Sequence, residues 1–155
     1  MTKRDPINPT DDASRALAAD ILRATRFGAL AVTSPDTGAP YVARTAMLWH
    51  EGAVLTLIST LSAHTSGLRA NPACSVLVGE PGDKGDPLTH PRMTLQCRAL
   101  QADKAALKET WLGAIPKAKL YYDFTDFQMY QLVPEDVHLN GGFGKAYRLT
   151  LADLT

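Results

Sequence analysis

The chain has 155 residues, 45% of them hydrophobic and 21% charged, and its 16 basic and 16 acidic side chains give a formal net charge of zero. This composition is typical of a globular protein, and the length predicts one domain over residues 1–155. A nucleic-acid-binding domain usually carries a basic excess, and a membrane-spanning helix needs roughly 18 or more apolar residues in a row. The sequence has neither, so we expect no nucleic acid and no membrane among its partners.

The N-terminal residues and the cysteines indicate the compartment. We expect residues 1–10, which are polar and contain two prolines, to form a flexible arm. Lys3 and Arg4 are not followed by the apolar stretch of about 7–15 residues that a signal peptide needs. Cys74 and Cys97 lack metal-binding or CxxC spacing, which favours buried free thiols in a reducing environment. These features predict a cytoplasmic protein.

The first half of the chain predicts a helix, a three-stranded meander and a second helix. Thr10 or Asp11 can cap a helix in which apolar residues recur at helical spacing until about Arg26. Strands are predicted at residues 27–33, 41–49 and 54–59, with turn residues between them. Residues 62–70 predict a short helix, which the following Asn-Pro pair ends.

The second half predicts further antiparallel strands. Residues 74–78 form a continuous apolar run, as in a strand buried on both faces, whereas residues 92–100 alternate strictly between apolar and polar. Helices are predicted at 103–111 and 117–122, and strands at 127–133 and 144–149. The pattern is typical of a mainly β, α+β protein: a six- to seven-stranded antiparallel β-barrel with flanking helices.

Strong catalytic and metal motifs are absent from the sequence. It has no GxGxxG, GxxxxGK[ST], HExxH or GxSxG pattern. None of the four histidines has another four residues away, so no metal site is predicted; they are His50, His64, His90 and His138.

Hydroxyl groups are concentrated where the third predicted strand gives way to the second helix. The helix start supplies free amide groups and the positive end of the helix dipole, which favour an anion. A single N-cap, Ser62, explains one hydroxyl and not all five. A phosphate site and a polar capped loop both stay open as interpretations. The residues concerned are Ser59, Thr60, Ser62, Thr65 and Ser66, with the imidazole of His64 among them.

Arginines on two predicted strands are candidate ligand contacts. Alternation places Arg44 on one face with Val42 and Ala46, where a buried guanidinium needs an anion. A salt bridge to a protein carboxylate and a surface position on an edge strand are the alternatives. Arg92 and Gln96 either donate to a flat heteroaromatic ring or lie on the solvent face of their strand.

Five segments, in this order, resemble the pyridoxamine 5′-phosphate oxidase-like superfamily, and within it the branch that includes the haem-utilisation proteins of the HugZ type. The resemblance covers roughly residues 12–151. The segments are Arg-Thr-Ala-Met-Leu (44–48), Ser-Thr-Leu-Ser-Ala-His-Thr (59–65), Asn-Pro-Ala-Cys-Ser-Val-Leu-Val (71–78), Pro-Arg-Met-Thr-Leu-Gln-Cys-Arg-Ala (91–99) and Gly-Gly-Phe-Gly-Lys-Ala-Tyr (141–147).

The resemblance implies a split barrel that forms a homodimer with FMN between the subunits and acts as an oxidoreductase on an unknown substrate. It places the FMN phosphate on Arg44 and the flavin along the backbone of Thr45 and Ala46. The phosphate and ribityl region falls on Ser59, Thr60, Ser62, His64 and Thr65. Arg92 matches a ring- or ribityl-contacting position, and Lys145 matches a basic residue near the partner's flavin.

The chain also departs from this family pattern. Ala63-His64 stands where relatives often have Arg-Lys, which weakens charge neutralisation of the phosphate. The vitamin B6 oxidases have an extra strand with substrate-binding arginines, and the haem-utilisation proteins have a later histidine; neither has a counterpart after His138. We therefore expect neither pyridoxamine phosphate oxidation nor effective haem oxygenase activity. A haem-binding protein on the same barrel and a flavin-binding module without turnover are the alternatives.

Overall fold

The structure, a computed structural model, describes residues 5–155 as eight strands and four α-helices. The strands are β1 (Ile7–Asn8), β2 (Phe27–Thr33), β3 (Pro40–His50), β4 (Ala53–Ser59), β5 (Ala73–Val78), β6 (Arg92–Gln101), β7 (Phe127–Asn140) and β8 (Ala146–Leu149). The α-helices are α1 (Asp12–Ala24), α2 (Ala63–Ala70), α3 (Lys108–Ala114) and α4 (Leu151–Leu154), and two 3-10 segments cover Pro87–Thr89 and Pro116–Leu120.

Six strands close into an antiparallel barrel in the order β7-β4-β3-β2-β5-β6, because β6 also pairs with β7. Strand β8 pairs with the far end of β7, and β1 adds to β8 in parallel. Residues 1–4 of the predicted N-terminal arm lie outside the described residues, while Ile7 and Asn8 of the same arm form β1. The architecture confirms the predicted mainly β barrel with flanking helices.

Strand β7 is twice as long as the sequence predicts, since it continues past Pro134 to Asn140. A proline usually ends a central strand, but here the ladder with β6 shifts register. Cys97 pairs with Pro134 and Gln96 with Asp136, which leaves Glu135 as the extra residue of a β-bulge. The proline is tolerated at this irregularity, and the extended β7 therefore reaches β4, β6 and β8.

The helices follow the predictions at the start of the chain and depart from them later. The Asp11 carboxylate accepts the Ser14 N–H at 2.8 Å, so α1 begins at the predicted cap. The predicted helix at 103–111 is a turn followed by α3, and that at 117–122 is the 3-10 segment Pro116–Leu120. Helix α4 was not predicted. No helix in the described part of the chain is long and apolar enough to cross a membrane.

Two apolar clusters lie on opposite sides of the barrel wall. The first fills the interior, where the inward-facing residues of β6 (Met93, Leu95, Cys97 and Ala99) are buried as their alternation predicts. The second lies outside β3, β4 and β7, under Trp111 of α3 and Tyr122. Because β4 is covered on both faces, its residues from Ala53 to Ile58 are all buried.

Among residues 5–155, no helix covers the outer side of β2, β5 and the Val42–Arg44 part of β3, and we call this surface the uncovered face. Its apolar side chains are exposed: Val42 by 62%, Phe27 by 41% and Leu77 by 48%. The prediction that residues 74–78 are buried on both faces is therefore wrong for this chain alone. Cys74, Val76 and Val78 point inward, and Leu77 points out where nothing covers it.

Cys74 and Cys97 are free and buried, as predicted. Burial raises the pKa of the Cys74 thiol to about 12, so the reactive thiolate form is disfavoured in the folded chain.

Gly67 allows α2 to pack closely on β2. A Cβ at this position would lie 2.7 Å from Val32 Cγ2 and 2.9 Å from the Thr33 carbonyl oxygen, whereas a Cβ at Gly113 in α3 would meet nothing within 4 Å. We expect Gly67→Ala to lower the free energy of unfolding by about 1–3 kcal/mol through overpacking. Gly113→Ala should be neutral or raise it by up to about 1 kcal/mol through helix propensity. Urea denaturation measures both, and equal effects would contradict this account of the α2–β2 contact.

Candidate functional site

Arg44 lies on the uncovered face with its guanidinium free of protein carboxylates. It lines a cleft of about 350 Å³ between β2, β3 and the segment after β5, and its guanidinium carbon is 5.7 Å from the centroid of the Phe27 ring. Within residues 5–155 no carboxylate forms an ion pair with it, although Glu80 lines the same cleft. At Arg44 the strand pairs with β2, whereas its ladder with β4 covers only Met47 to His50, so the alternative of a surface position on a locally unpaired strand edge stays open. The exposed cation is available to a ligand.

The β3–β4 ladder relates Arg44 to the end of β4. Met47 pairs with Thr56, and both side chains are buried inside the barrel. Arg44 lies three residues before Met47, and Ser59 lies three residues after Thr56, toward the same end of the two antiparallel strands. Side chains alternate between the two faces of a strand, so each residue lies on the face opposite to that of its buried reference residue. Both residues therefore belong to the outer face, at the end of the barrel where α2 begins.

The turn between β4 and α2 is attached to Asp126, a residue that the sequence did not indicate. Ser59 Oγ donates to Asp126 Oδ2 at 2.6 Å and accepts the Leu61 N–H at 3.1 Å. The Thr60 N–H donates to the Asp126 carbonyl at 2.7 Å. The pairing of Ser59 with Phe127 in the β4–β7 ladder brings Asp126 here, and no local sequence signal reports a pairing between segments this distant.

The N-terminus of α2 retains open hydrogen-bond donors. The side chain of its N-cap, Ser62, caps no amide. The amides of Ala63 and His64 find no acceptor among the residues that the structure describes. Unsatisfied amides at a helix start, together with the helix dipole, favour an anion at this place. Thr60 and Ser62 add partly exposed hydroxyls beside them.

Two predicted site residues are enclosed instead of facing a ligand. Thr45 is buried, with its hydroxyl 3.0 Å from that of Thr56, which also donates to the Ala46 carbonyl at 2.7 Å. Thr65 has 0% exposure, and its hydroxyl has no partner. The Thr45 side chain therefore holds β3 to β4, and only its backbone is left for the expected flavin contact. The Thr65 hydroxyl points into the protein.

Arg92 and Lys145 lie apart from Arg44 within one chain. Strand β6 is three strands from β3 in the order β3-β2-β5-β6, which corresponds to about 14 Å across the sheet. The Arg92 guanidinium donates to the Leu88 carbonyl at 2.7 Å, in the segment that precedes β6. Lys145 is exposed in the β7–β8 turn. Within one chain, Arg44 therefore lines its cleft with residues of β2 and β5, and these two cations lie elsewhere.

No metal centre accompanies the site. Within residues 5–155, no group of three or more His, Cys, Asp or Glu side chains is placed to hold a metal ion.

His64 is half-buried at the start of α2, and burial lowers its pKa. In the unfolded chain an imidazole binds a proton near pH 6.5, so protonation favours the unfolded state once the pH falls below about 6.5. The contribution of neutral His64 to stability is complete above that pH and is lost as the pH falls toward the folded pKa. We expect the free energy of unfolding to fall more between pH 7.5 and 5.5 in the unsubstituted protein than in His64→Asn. Urea titrations at both pH values measure this, and parallel pH profiles would contradict it.

Comparisons with known proteins found similarity to haem-related proteins and to a protein of the pyridoxinephosphate oxidase family. No family model matches. A curated relative, the chloroplastic non-canonical haem oxygenase HOZ of Arabidopsis thaliana, is 34% identical over 101 residues, which cover 63% of this chain and 30% of the relative. The chain thus spans under a third of that relative's length.

Two solved structures have the same fold. The haem-binding protein of Mycobacterium smegmatis superposes with a TM-score of 0.83 at 26% identity, over 96% of this chain and 61% of that one. A protein of Clostridium acetobutylicum related to general stress protein 26, of the pyridoxinephosphate oxidase family, gives a TM-score of 0.72 at 13% identity, over 94% and 100% of the two chains.

Proposed function

We propose that this chain is a member of the pyridoxamine 5′-phosphate oxidase-like split-barrel superfamily, in the branch that contains the haem-utilisation proteins, and that it binds FMN between the subunits of a homodimer. Its similarity to the plant haem oxygenase and the fold that it shares with the other two proteins support this proposal. The flavin would serve oxidation or reduction of a small molecule whose identity is unknown. We further propose that residues 1–155 are one domain and that the protein is cytoplasmic.

The observation that carries this proposal is Arg44, which is exposed on the outer face of β3 and forms no ion pair within residues 5–155. A guanidinium is the side chain best suited to a phosphate, because it combines a permanent charge with several fixed donors. The amides of Ala63 and His64 and the hydroxyls of Thr60 and Ser62 are further open donors, at the start of α2. These groups fit the phosphate end of FMN.

The uncovered face fits the other end of FMN. Phe27, Val42 and Leu77 expose apolar surface around Arg44, as an isoalloxazine ring requires, and the backbone of Thr45 and Ala46 runs beside them. Bound flavin would supply the redox chemistry, while the chain binds and orients it. Arg92 and Lys145, which lie far from Arg44 in their own chain, would serve the flavin held mainly by the other subunit.

A second copy of the chain is the proposed cover of the uncovered face. We expect sedimentation equilibrium to give about twice the chain mass of 16.7 kDa. Leu77→Asp should shift the protein toward monomer, because it places a charge in the buried apolar interface. Leu120→Asp, at an 83% exposed position in the 3-10 segment Pro116–Leu120, is the matched control and should leave the mass unchanged. A monomer at micromolar concentration would contradict the dimer.

Arg44→Ala tests the phosphate contact. A charge-assisted contact of about 1.5–3 kcal/mol corresponds to roughly a ten- to hundredfold loss of FMN affinity, measured by fluorescence titration. Riboflavin lacks the phosphate, so its affinity should change little. Arg69→Ala, an exposed arginine in the last turn of α2, is the control for removing a charge. Equal losses for FMN and riboflavin would mean that Arg44 supports the strand and does not bind the phosphate.

Haem is the second candidate ligand, and the similarity to the plant haem oxygenase and the mycobacterial haem-binding protein favours it. A porphyrin is also a flat apolar ring with anionic groups, so the uncovered face and Arg44 fit its chemistry as well. Of the four histidines, His90 bonds Gly82 and Lys84 through both ring nitrogens, His138 contacts Asp136 and His50 lies beside Glu51. His64 is the histidine with no such partner in residues 5–155.

One experiment separates the two ligands. The protein is purified without added cofactor, and the bound material is released and identified by absorbance and mass. Flavin bands with released FMN support the proposal. A Soret band, with haemin bound in equal amount to the chain and no flavin, would support the haem alternative and overturn the FMN proposal.

A further inference from the structure

Residues 79–91, which connect β5 to β6, form part of the wall of two clefts. Gly79, Glu80 and Pro81 line the Arg44 cleft together with residues of β2 and β3. Gly79, Glu80 and Pro91 line a second cleft of about 460 Å³, which lies along α1. Phe27 lines both clefts, so the two adjoin each other at this residue. The conformation of the 79–91 segment therefore determines the shape of both clefts.

The ring of His90 holds this segment through two main-chain contacts. Its Nδ1 atom accepts the Gly82 N–H at 2.6 Å, and its Nε2 atom lies 2.6 Å from the Lys84 carbonyl oxygen. The Gly82 main chain also packs on the ring, since a Cβ at this position would lie 3.1 Å from His90 Cε1. These contacts fold the segment back onto the partly buried His90, two residues before β6 begins.

The two contacts fix the protonation state of the His90 ring. A main-chain N–H can only donate a hydrogen bond, and a main-chain carbonyl can only accept one. Nδ1 therefore carries no hydrogen and Nε2 carries one, which is the neutral imidazole. A second proton would have to bind at Nδ1. There it would meet the Gly82 N–H donor to donor, and this contact would break.

The surroundings of His90 do not compensate a positive charge on its ring. Within residues 5–155 no carboxylate forms an ion pair with it, although two other histidines have one. Arg92 donates to the His90 carbonyl at 3.4 Å and to the Leu88 carbonyl at 2.7 Å, which places a permanent cation nearby. The charged residues of the segment and of the elements around it are Glu80, Asp83, Lys84 and Asp86 in the segment, Arg92 on β6, Lys145 in the β7–β8 turn, and Asp20 and Arg26 along the α1 cleft.

We propose that His90 is a pH-sensitive contact that holds the 79–91 segment closed near neutral pH and releases it in mild acid, which changes the walls of both clefts. The release stands on the geometry of His90, whereas its effect on flavin binding rests on the proposed function. An imidazole in the released segment binds a proton near pH 6.5, while the closed segment occupies the atom that would take it. The closed form is therefore fully favoured above about pH 6.5 and is lost as the pH falls below that value.

Hydrogen exchange of the Gly82 amide, followed by NMR, tests the release. Protection factors, which correct for the intrinsic effect of pH on exchange, are compared at pH 7.5 and 5.5. We expect the protection of Gly82 to fall by about three- to tenfold in the unsubstituted protein, because one pH unit below 6.5 favours the released imidazole by up to about tenfold. This fall is the signature of a contact that only the neutral ring can make.

Three variants identify the group that titrates. His90→Phe keeps a ring and removes both contacts, so Gly82 should have low protection at both pH values. His90→Asn offers Gly82 an acceptor that binds no proton, so its protection should not depend on pH. His138→Asn is the matched control, since His138 is a histidine on β7 whose ring contacts Asp136 at 3.2 Å, and this variant should keep the fall. The inference is overturned if the unsubstituted protein shows no fall, if both His90 variants keep it, or if His138→Asn removes it.

The effect on the clefts is measured with riboflavin, because the phosphate of FMN itself titrates near pH 6, at about the same pH as the imidazole. The riboflavin dissociation constant should rise between pH 7.5 and 5.5 in the unsubstituted protein and stay constant in His90→Asn. If riboflavin does not bind but Gly82 follows pH as expected, the proposed function fails and the release of the segment stands. If riboflavin binds equally at both pH values while the segment is released, the proposed effect on the clefts is overturned.

Discussion

The pairing of β7 with both β4 and β6 is the constraint on which the rest of the structure depends. This one strand of 14 residues closes the barrel, carries β8 and brings the residue before it, Asp126, to the end of β4. The bulge at Glu135 accommodates Pro134 and lets the strand continue to the residues that pair with β8. Without that extra residue, the inward-facing side chains beyond it would turn to the opposite face.

Closure also determines which parts of the barrel wall need an outside cover. Helix α3 and the following 3-10 segment bury the outer faces of β4 and β7 and the part of β3 that carries Leu48. Helix α2 packs instead on Val32, an inward-facing residue of β2. The uncovered face therefore remains exposed, with Arg44 among its apolar residues. Exposed apolar surface around a charged group is typical of a binding or assembly surface. The proposals of bound FMN, of bound haem and of a second subunit therefore all involve the uncovered face.

The electrostatics of the site follow from the same packing. The β4–β7 pairing gives the turn its stable shape through Asp126, and the same contact introduces a negative charge beside the anion donors. His64 replaces a permanent cation by a half-buried imidazole that burial keeps neutral.

The sequence by itself determined most of the local secondary structure and two parts of the candidate site, Arg44 and the start of α2. Alternation identified β6 and placed Arg44 on one face with Val42 and Ala46. Helical spacing identified α1, with Asp11 as one of two candidate caps, and hydroxyl density identified the start of α2. These are properties of neighbouring residues, which periodicity and capping chemistry report directly.

The tertiary structure decided what depends on distant pairing. It extended β7 past Pro134, exposed Leu77, enclosed the hydroxyls of Thr45 and Thr65, and separated Arg92 and Lys145 from Arg44. It also placed Asp126 on Ser59, 67 residues away in the chain. Which strands become neighbours depends on how the whole barrel closes. Which strand faces are buried depends on the segments that pack against them. A single sequence carries no local signal for either, because both are properties of contacts between segments that are far apart.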